Sequence, residues 1–319
     1  MKVFISGGAG FIGSHLVGWL LREDDVTELV VFDNFSSGQR LYLKEAALDS
    51  RLRVVEGDLK NLSAVQSAME GSSVVYHLAA NPDIAKAVTQ PDIDFWEGTY
   101  LTQNVLDAMH LTDTRRIFYT SGSGVYGENP AIAFQESYGP CQPISTYGAS
   151  KLACEGLISA YCHMFDCFGR AFRFANVVGP RQTHGVGYDF VRRLKNDPSR
   201  LPILGDGSQS KSYIHVEDVL EAIAIVDSAT DRRFEIYNVA TDDYITVKEI
   251  ADIAVEESGL TPKTVRYEFT GGDRGWKGDV PVVRFDVSKI KSTGWRAQRT
   301  SAAAVRDSIR AMIEQTDGR

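Results

Sequence analysis

The chain begins MKVFISGGAGFIGSHL (residues 1–16), and this stretch decides the fold. Residues 3–5 are an apolar run typical of a buried strand, and a glycine-rich segment follows, before a helical pattern of apolar residues. In such a unit Gly7 permits the tight turn, Gly10 lets the main chain approach a pyrophosphate, and Gly13 lets the helix pack on the strand. The stretch therefore predicts a dinucleotide-binding unit with the phosphates at the helix N-terminus.

The carboxylate of Asp33 indicates which dinucleotide is bound. Asp33 follows the second predicted strand (residues 28–32) and lies about 20 residues beyond Gly13. An acid at this place hydrogen-bonds a ribose 2′-hydroxyl and repels a 2′-phosphate, and no arginine stands beside the glycines. We therefore expect NAD rather than NADP.

Strands and helices continue to alternate after this unit. Further strands are predicted at 52–59, 73–80, 116–121, 170–174 and 234–239. This pattern predicts an α/β fold with a Rossmann-type doubly wound parallel sheet. We expect an NAD-binding domain over residues 1–175, with returning segments near 213–240. Glycine and proline become frequent after residue 175, which predicts a smaller, interleaved C-terminal α/β domain over 176–319 that binds the substrate.

Tyr147 and Lys151 are the most informative pair of side chains. They lie four residues apart in STYGASK (residues 145–151), so on a helix they share one face. A free phenol titrates near pH 10, and a neighbouring ammonium favours its ionised form. The pair therefore suits general acid–base catalysis. The same spacing occurs on solvated helix faces, but here it follows a dinucleotide-binding signature.

The composition narrows the class of protein. The chain has 319 residues and a formal net charge of −8 at pH 7, which argues against a nucleic-acid or anionic-membrane surface. There is no apolar run of about 18 residues, and no segment reads as a signal peptide. Cys141, Cys154, Cys162 and Cys167 lack the spacing of a metal or redox motif. We expect a cytoplasmic protein that binds no metal, no nucleic acid and no membrane.

Short motifs follow one another along nearly the whole chain. They are Gly7–Gly13, His77–Ala80, Val125–Gly127, Tyr147–Lys151, Arg173–Pro180, Gly205–Gly207, Tyr213–Asp218 and Arg274–Asp279. In this order they resemble the extended short-chain dehydrogenase/reductase family, and within it the NAD-dependent nucleotide-sugar epimerases of the UDP-galactose/UDP-glucuronate 4-epimerase type. Each motif alone has limited specificity, but their order is hard to explain otherwise.

The resemblance implies a reaction and a set of site residues. Tyr147 would take the proton of a sugar 4-hydroxyl as hydride passes to NAD, and Lys151 would hold the nicotinamide ribose. The 4-keto sugar would then turn and take the hydride back on its other face. Residues expected to contact the UDP-sugar are Ser123, Asn176, Arg192, Lys211, Arg274 and Asp279. Residues expected to contact NAD are Gly7, Gly10, Phe11, Ile12, Gly13, Asp33, Asn34, Asp58, Leu59, Leu78, Ala79, Ala80, Tyr147, Lys151 and Phe174.

Two positions depart from the family pattern. Gly122 stands where the family usually has a Ser or Thr that bonds the 4-hydroxyl, so Ser121, Ser123 or a water would replace it as a catalytic hydroxyl. The customary Asn shortly before Gly98 is also missing. Related dehydratases carry an Asp-Glu pair just before the Val-Tyr-Gly motif, and decarboxylases carry a Glu there. This chain has serine and glycine at those two positions, which favours epimerisation.

Several alternatives remain open from the sequence. The substrate pair is either UDP-glucose and UDP-galactose or UDP-glucuronate and UDP-galacturonate. Arg192 is either a partner for a uronate carboxylate or a solvated helix residue, and Arg193 is expected to be solvated. Other functions are another nucleotide-sugar short-chain enzyme (a dehydratase, decarboxylase or reductase) or a non-catalytic NAD-sensing protein. The resemblance implies a homodimer formed by helices near residues 99–110 and 149–166.

Overall fold

The computed structural model describes residues 1–227, 230–276 and 278–317, and the chain divides into two compact units. Unit 1 contains Met1–Val125, Thr146–Arg173 and Ala222–Tyr237. Unit 2 contains Tyr126–Ser145, Phe174–Glu221 and the remainder of the chain from residue 238. Residues 126–145 thus fall in unit 2, although the sequence placed them in the NAD-binding domain. Lys277, which belongs to one of the motifs, lies outside the described residues.

The helices and strands are listed here in chain order. They are β1 (Lys2–Ser6), α1 (Phe11–Leu20), β2 (Glu28–Asp33), β3 (Leu52–Glu56), α2 (Leu62–Met69), β4 (Val74–His77), α3 (Tyr100–Leu111), β5 (Arg116–Gly122), α4 (Thr146–Met164), β6 (Phe168–Phe174), β7 (Asn176–Val178), α5 (Val186–Asn196), β8 (Arg200–Ile203), β9 (Ser210–Lys211), β10 (Tyr213–His215), α6 (Val216–Asp227), β11 (Phe234–Val239), β12 (Ile245–Thr246), α7 (Val247–Glu257), β13 (Arg266–Phe269), α8 (Ser288–Lys291) and α9 (Ser301–Asp317).

A seven-stranded sheet lies at the centre of unit 1, with the order β11-β6-β5-β4-β1-β2-β3 among the described residues. β1 pairs in parallel with β2 on one side and β4 on the other, and β3 and β5 continue the parallel pairing outward. The strand order reverses between β1 and β4, and ligands of open α/β sheets bind at such a switch point. The predicted Rossmann-type fold is confirmed.

The sheet is apolar because helices cover it, as in other parallel sheets. Phe4, Val30 and Tyr119 from three strands are buried in one cluster with Val105 of α3 and Ile158 of α4. α2 packs on α3, and α3 packs on α4. Burying each large apolar side chain of this kind contributes about 1.5–3 kcal/mol. This core holds the carboxyl ends of β1, β4 and β5 in fixed positions.

Two strands end earlier than the sequence suggests. β4 stops at His77 rather than at residue 80, and β3 stops at Glu56 rather than at residue 59. Beyond β3 the Gly57 N–H donates to the carbonyl oxygen of Asp33, after which the chain turns away. The segments that follow both strands are therefore loops at the carboxyl edge of the sheet.

Unit 2 is built from short two-stranded ladders and three helices that pack together. β7 pairs in parallel with β10, β8 pairs in parallel with β13, and β9 pairs antiparallel with β12. α5, α7 and α9 pack on one another and bury Leu201, Ile250 and Ile309. α7 begins with a capping box in which Thr246 and Glu249 bond each other's main chain.

The described residues show neither a membrane-spanning helix nor a metal-binding cluster. No helix in the described part of the chain is long and apolar enough to cross a membrane. Among the same residues, no group of three or more His, Cys, Asp or Glu side chains could hold a metal ion. The four cysteines are free, and burial raises the pKa of the Cys162 thiol to about 12.

Candidate active site

Close contacts in the glycine loop after β1 leave no room for a side chain at Gly7 or Gly13. Gly7 has a φ of +74°, and a Cβ there would lie 2.8 Å from the main-chain nitrogen of Ala79. A Cβ on Gly13 would lie 2.3 Å from the carbonyl oxygen of Gly7. A Cβ on Gly10, in contrast, would meet only that same carbonyl, at 3.3 Å. The loop is therefore tightly packed at Gly7 and Gly13 but open at Gly10. This opening fits a pyrophosphate at the N-terminus of α1.

Phe11 and Ile12 form the first turn of α1, where main-chain N–H groups lack helical partners. Leu78, Ala79 and Ala80 follow β4, and the Leu78 N–H donates to the carbonyl oxygen of Ser6. These two segments leave adjacent strands at the switch point. The glycine cradle and the small residues beside it therefore fit a dinucleotide in the place where the sequence predicts NAD.

The carboxylate of Asp33 is fixed by two main-chain donors. Its Oδ2 accepts a hydrogen bond from the Ala9 N–H at 2.9 Å, and its Oδ1 accepts one from the Phe35 N–H at 2.8 Å. Two carboxylate oxygens provide about four acceptor sites, so capacity remains for a ribose hydroxyl. Asn34 is exposed, and its side chain accepts from the Ser36 N–H. These contacts explain how Asp33 can lie beside the glycine loop.

The residues predicted on the adenine side differ from one another. Asp58 is exposed, and its carboxylate accepts from the Lys60 N–H. The side chain of Leu59 instead packs in the core of unit 1, and its carbonyl oxygen accepts from the Asn104 amide at 2.9 Å. A cofactor role for the Leu59 side chain is therefore not supported by its position. Phe174, at the end of β6, is also buried.

Tyr147 and Lys151 lie one helical turn apart in the first two turns of α4. Lys151 is 5% exposed, and its Nζ donates to the carbonyl oxygen of Thr120 at 2.6 Å. The same Nζ lies 5.5 Å from the centre of the Tyr147 ring and 4.9 Å from that of Tyr119. No carboxylate forms an ion pair with Lys151 in the described residues. The buried Lys151 ammonium therefore lies beside the Tyr147 ring and is anchored to the end of β5.

The pKa of His77, at the end of β4, is also influenced by the positive charge of Lys151. Its ring is completely buried, and its two nitrogens lie 2.6 Å from Ser6 Oγ and 3.0 Å from Thr102 Oγ1. Burial, and then the positive charge of Lys151, lowers the pKa of His77 to about 3. His77 is therefore neutral at physiological pH and links β1, β4 and α3 by hydrogen bonds.

The two serines proposed as catalytic hydroxyls lie in different environments. Ser121 is buried, and its Oγ donates to the Glu155 carboxylate at 2.5 Å. Ser123 opens a short helical turn after β5 and is only half-buried. A Cβ added to Gly122 would meet no atom within 4 Å. The position that carries a hydroxyl in the family is thus sterically open here, and Ser123 is the more available of the two serines.

A buried ion pair lies behind Ser121 and was not predicted. Arg173 in β6 contacts the Glu155 carboxylate through Nε at 3.0 Å and Nη2 at 2.7 Å, and both side chains are almost fully buried. Glu155 lies four residues beyond Lys151, so it belongs to the same face of α4. The signal was the two arginines, Arg170 and Arg173, in a strand whose other residues are apolar or glycine, since a buried arginine requires a partner.

Three of the predicted substrate residues of unit 2, Lys211, Arg274 and Asp279, form ion pairs. The Lys211 ammonium donates to Asp279 Oδ1 at 2.6 Å, and the Arg274 guanidinium contacts both oxygens of Glu128 at 2.8 and 2.9 Å. Glu128 raises the pKa of Arg274 above its usual value. Arg274 also donates to the carbonyl oxygen of Asp279 at 2.8 Å. Glu128 is a member of this cluster that the sequence did not reveal.

Other predicted substrate residues are less constrained. The Asn176 amide donates to the Ser212 carbonyl at 3.2 Å, and the residue is exposed. Arg192 is exposed on α5, with its guanidinium 5.6 Å from the centre of the Tyr188 ring. Arg193 is half-buried and donates to the carbonyl oxygen of Pro202 at 2.5 Å. The expectation that Arg193 is merely solvated is corrected, because its guanidinium links α5 to β8.

Comparison with known proteins identifies the family. The model described as the NAD dependent epimerase/dehydratase family matches residues 3–240. A putative UDP-glucose 4-epimerase from Methanocaldococcus jannaschii is 29% identical over 302 residues, which cover 93% of each chain. A solved UDP-galactose 4-epimerase has a TM-score of 0.87 at 37% identity, with 99% of both chains covered. DesIV, a dTDP-glucose 4,6-dehydratase from Streptomyces venezuelae solved with NAD and TYD, has a TM-score of 0.90 at 28% identity, with 100% of this chain and 98% of DesIV covered.

The fold and the site define an NAD-dependent enzyme of nucleotide-sugar chemistry, an epimerase or a dehydratase. The chain belongs to the NAD dependent epimerase/dehydratase family. Its glycine loop and Asp33 fit the cofactor for which that family is named.

Proposed function

We propose that the protein is a UDP-sugar 4-epimerase that inverts C4 through a transient 4-keto sugar. The observation that carries this proposal is the pairing of Tyr147 with a buried Lys151, together with a serine and a glycine at positions 123 and 124. Dehydratases of the family would need proton-transferring acids at positions 123 and 124, and serine and glycine stand there. A Cβ on Gly124 would lie 3.4 Å from the Cα of Gly148 in α4. The turn therefore packs on the catalytic helix where a Glu side chain would otherwise begin.

The first half of the reaction is an oxidation at C4 of the sugar. The Tyr147 phenolate takes the proton of the 4-hydroxyl, and the C4 hydrogen leaves with its electron pair. NAD, held by the glycine loop and Asp33, would supply the hydride acceptor for this oxidation. Lys151 holds its ammonium beside the phenol, where it is placed to assist the proton transfer. Ser123 supplies a hydroxyl at the turn after β5, in place of the residue that is absent at position 122.

The second half of the reaction reverses these steps on the other face of the sugar. The 4-keto sugar turns, hydride returns to C4, and Tyr147 gives its proton to the new 4-oxygen. No atom is lost or gained overall, so the cofactor is restored in each cycle and can remain bound. The protein contributes orientation and electrostatics, while the cofactor carries the electrons.

Substrate binding is assigned to the charged cluster of unit 2. A guanidinium can bind phosphate oxygens in a bidentate manner, and Arg274 already contacts both oxygens of the Glu128 carboxylate through one nitrogen, Nη2. Lys211 and Asp279 would bind phosphate and ribose on either side, with Asn176 contacting the diphosphate. The solved UDP-galactose 4-epimerase supports a uridine nucleotide. Both the neutral hexose pair and the uronate pair agree with these residues.

The uronate alternative rests on Arg192. Its guanidinium is exposed and has an aromatic neighbour, so it is available to a substrate carboxylate. Comparing Arg192→Ala with wild type on UDP-glucuronate and UDP-glucose in parallel tests this role. A loss confined to the uronate supports the role, whereas unchanged uronate turnover excludes it.

The protein is further proposed to act as a cytoplasmic homodimer through α3 and α4. These helices pack on each other and carry exposed apolar side chains at their ends, Leu111 and Met164. Gln103 and Asp107 of α3 both bond the Tyr161 hydroxyl of α4, so the pair forms one surface. Sedimentation of the wild type and of Met164→Asp tests this surface, which predicts a dimer only for the wild type.

A dehydratase is the second candidate, because DesIV shares the fold over the whole chain. Mass spectrometry of the product separates the two reactions. An epimerase returns the substrate mass, and deuterium placed at C4 of the substrate remains at C4 after inversion. Loss of water would establish the dehydratase and exclude the epimerase.

A further inference from the structure

The carboxyl group of Asp94 is buried beside the catalytic helix and bonded by neutral donors. Asp94 is 2% exposed, its Oδ1 accepts from the Asn81 amide at 2.9 Å, and its Oδ2 accepts from the Thr146 hydroxyl at 2.7 Å. No cation forms an ion pair with Asp94 in residues 1–227, 230–276 and 278–317. A buried acid is costly unless its oxygens are satisfied, so these bonds are needed.

The contacts of Asp94 fall next to both catalytic residues. Thr146, bonded by the side chain of Asp94, directly precedes Tyr147. The Ser150 hydroxyl donates to the main-chain carbonyl of Asp94 at 2.7 Å, and Ser150 directly precedes Lys151. The two anchored residues are four apart, so Asp94 holds one face of the first two turns of α4. The catalytic pair lies on the adjoining face of the same turns.

A local irregularity makes this contact possible. Residues Phe95–Thr99 form a π-helical turn ahead of α3, and such turns recur at functional sites. A Cβ on Gly98 would lie 2.4 Å from the Ser150 hydroxyl oxygen, so only glycine allows the turn to approach α4 this closely. The Thr99 hydroxyl lies 2.9 Å from the same oxygen. Because Ser150 gives its single proton to Asp94, Thr99 is the donor of that bond.

The hydrogen bonds of Asp94 also extend, through Asn81, to the segment 78–80 that is expected to contact NAD. Asn81 follows Ala79 and Ala80, and its amide also donates to the carbonyl oxygen of Asp83 at 2.9 Å. We propose that Asp94 is a positioning residue, which fixes Tyr147 and Lys151 relative to the segment 78–80. This inference rests on the proposed epimerase function, in which the phenol and the cofactor must meet at one carbon atom. Small misplacements of such groups can lower turnover by up to about 100-fold.

The test compares variants that differ by one hydrogen bond. Thr146→Val keeps the shape of the side chain and removes the hydroxyl, whereas Thr146→Ser keeps the hydroxyl. Asp94→Asn removes the charge and replaces one of the two acceptor oxygens by an amide NH₂, so that Thr146 and Asn81 no longer each have an acceptor oxygen. Asp92→Asn, at an exposed acid two residues away, makes the same change of charge and serves as the control. We measure kcat and KM for UDP-sugar epimerisation, together with hydrogen exchange of the peptide 146–152.

We expect kcat to fall about 10- to 100-fold in Thr146→Val and Asp94→Asn, with KM within about twofold of wild type. Thr146→Ser and Asp92→Asn should retain wild-type kcat, and the double variant Thr146→Val/Asp94→Asn should be no worse than Asp94→Asn alone. Exchange of the peptide 146–152 should increase only in the two impaired variants. Wild-type kcat in Thr146→Val, additive losses in the double variant, or unchanged exchange would overturn the proposal. An inactive wild type would contradict the epimerase function, while the exchange measurement would still decide the role of Asp94.

Discussion

The ammonium of Lys151 donates to the main-chain carbonyl of Thr120 at 2.6 Å, which ties the catalytic helix to the carboxyl end of β5. Since Nζ is buried and also lies 5.5 Å from the Tyr147 ring centre, one hydrogen bond sets the place of the charge relative to the phenol. Lys151, the lysine proposed to act with Tyr147, is therefore anchored to the sheet by its own ammonium.

Replacing Lys151 with methionine tests its proposed role. We expect Lys151→Met to lower kcat about 10²- to 10⁴-fold, because the site loses the buried ammonium beside Tyr147 and its hydrogen bond to Thr120. Steady-state kinetics of epimerisation are the measurement, with the exposed Lys44→Met as the control. Wild-type kcat in Lys151→Met would contradict the role proposed for Lys151.

The missing hydroxyl at position 122 leads to a rescue experiment. We expect Ser123→Ala to lower turnover about tenfold or more, and Gly122→Ser to restore it in that background, because the space beside Gly122 is open. Single-turnover rates of the two variants and of their combination provide the measurement. Ser121→Ala should instead reduce stability, since the Ser121 hydroxyl is bonded to Glu155. Loss of turnover in Ser121→Ala with full stability would show that the wrong serine was chosen.

The glycines of α1 and its loop offer a matched pair for cofactor binding. Gly13→Ala should abolish NAD retention, because its Cβ would lie 2.3 Å from the Gly7 carbonyl oxygen. Gly18→Ala on the same helix meets no atom within 4 Å and should retain NAD. It should also gain about 0.5–1 kcal/mol in free energy of unfolding. NAD released on denaturation and the melting curves report both results. Equal NAD content in the two variants would contradict the cradle.

The buried His77 gives the protein a defined dependence of stability on pH. Its folded pKa, about 3, lies below the ordinary value of 6.5, so the unfolded chain takes up a proton first as pH falls. The free energy of unfolding should therefore drop by about 1.4 kcal/mol per pH unit below pH 6.5, or about 2 kcal/mol at pH 5. Urea unfolding at pH 7.5, 6 and 5 should show this slope in wild type and in the exposed His163→Gln. The slope should be reduced in His77→Gln, and an identical slope in all three proteins would exclude His77 as its source.

Because Arg274 is paired with Glu128, we expect a substrate diphosphate to compete with the Glu128 carboxylate for the Arg274 guanidinium. Glu128→Gln should lower the KM for the UDP-sugar, by up to about fivefold, because an exposed ion pair holds Arg274 only weakly. Arg274→Ala should raise KM, since the fork that binds phosphate is removed. Initial rates over a range of substrate concentrations test both variants. A raised KM in Glu128→Gln would mean that the carboxylate supports substrate binding rather than opposing it.

The sequence was sufficient for the fold because local patterns and topology agree. Strand periodicity, the spaced glycines and Asp33 each describe a contact made within a few residues or across one neighbouring strand. The ends of the strands were predicted less accurately, as the early end of β4 shows. An apolar strand and an apolar loop have the same sequence pattern.

The residues that hold the candidate site in place could not be predicted from the sequence in the same way. Glu155 meets Arg173, and Asp94 meets Thr146, across long sequence separations that leave no local pattern. Only the composition of the strand around Arg173 signalled a buried partner. The sequence therefore indicates which groups react, while the packed structure is needed to show what holds them.

The most direct test of the central proposal is NMR analysis of products after incubating the purified protein with nucleotide sugars and no added NAD. UDP-glucose and UDP-glucuronate are supplied in parallel, with Tyr147→Phe as the inactive control. We expect the C4 epimer of one of the two sugars to form without loss of mass. No conversion of either sugar, even after NAD is added, or a product that has lost water or carbon dioxide, would contradict it.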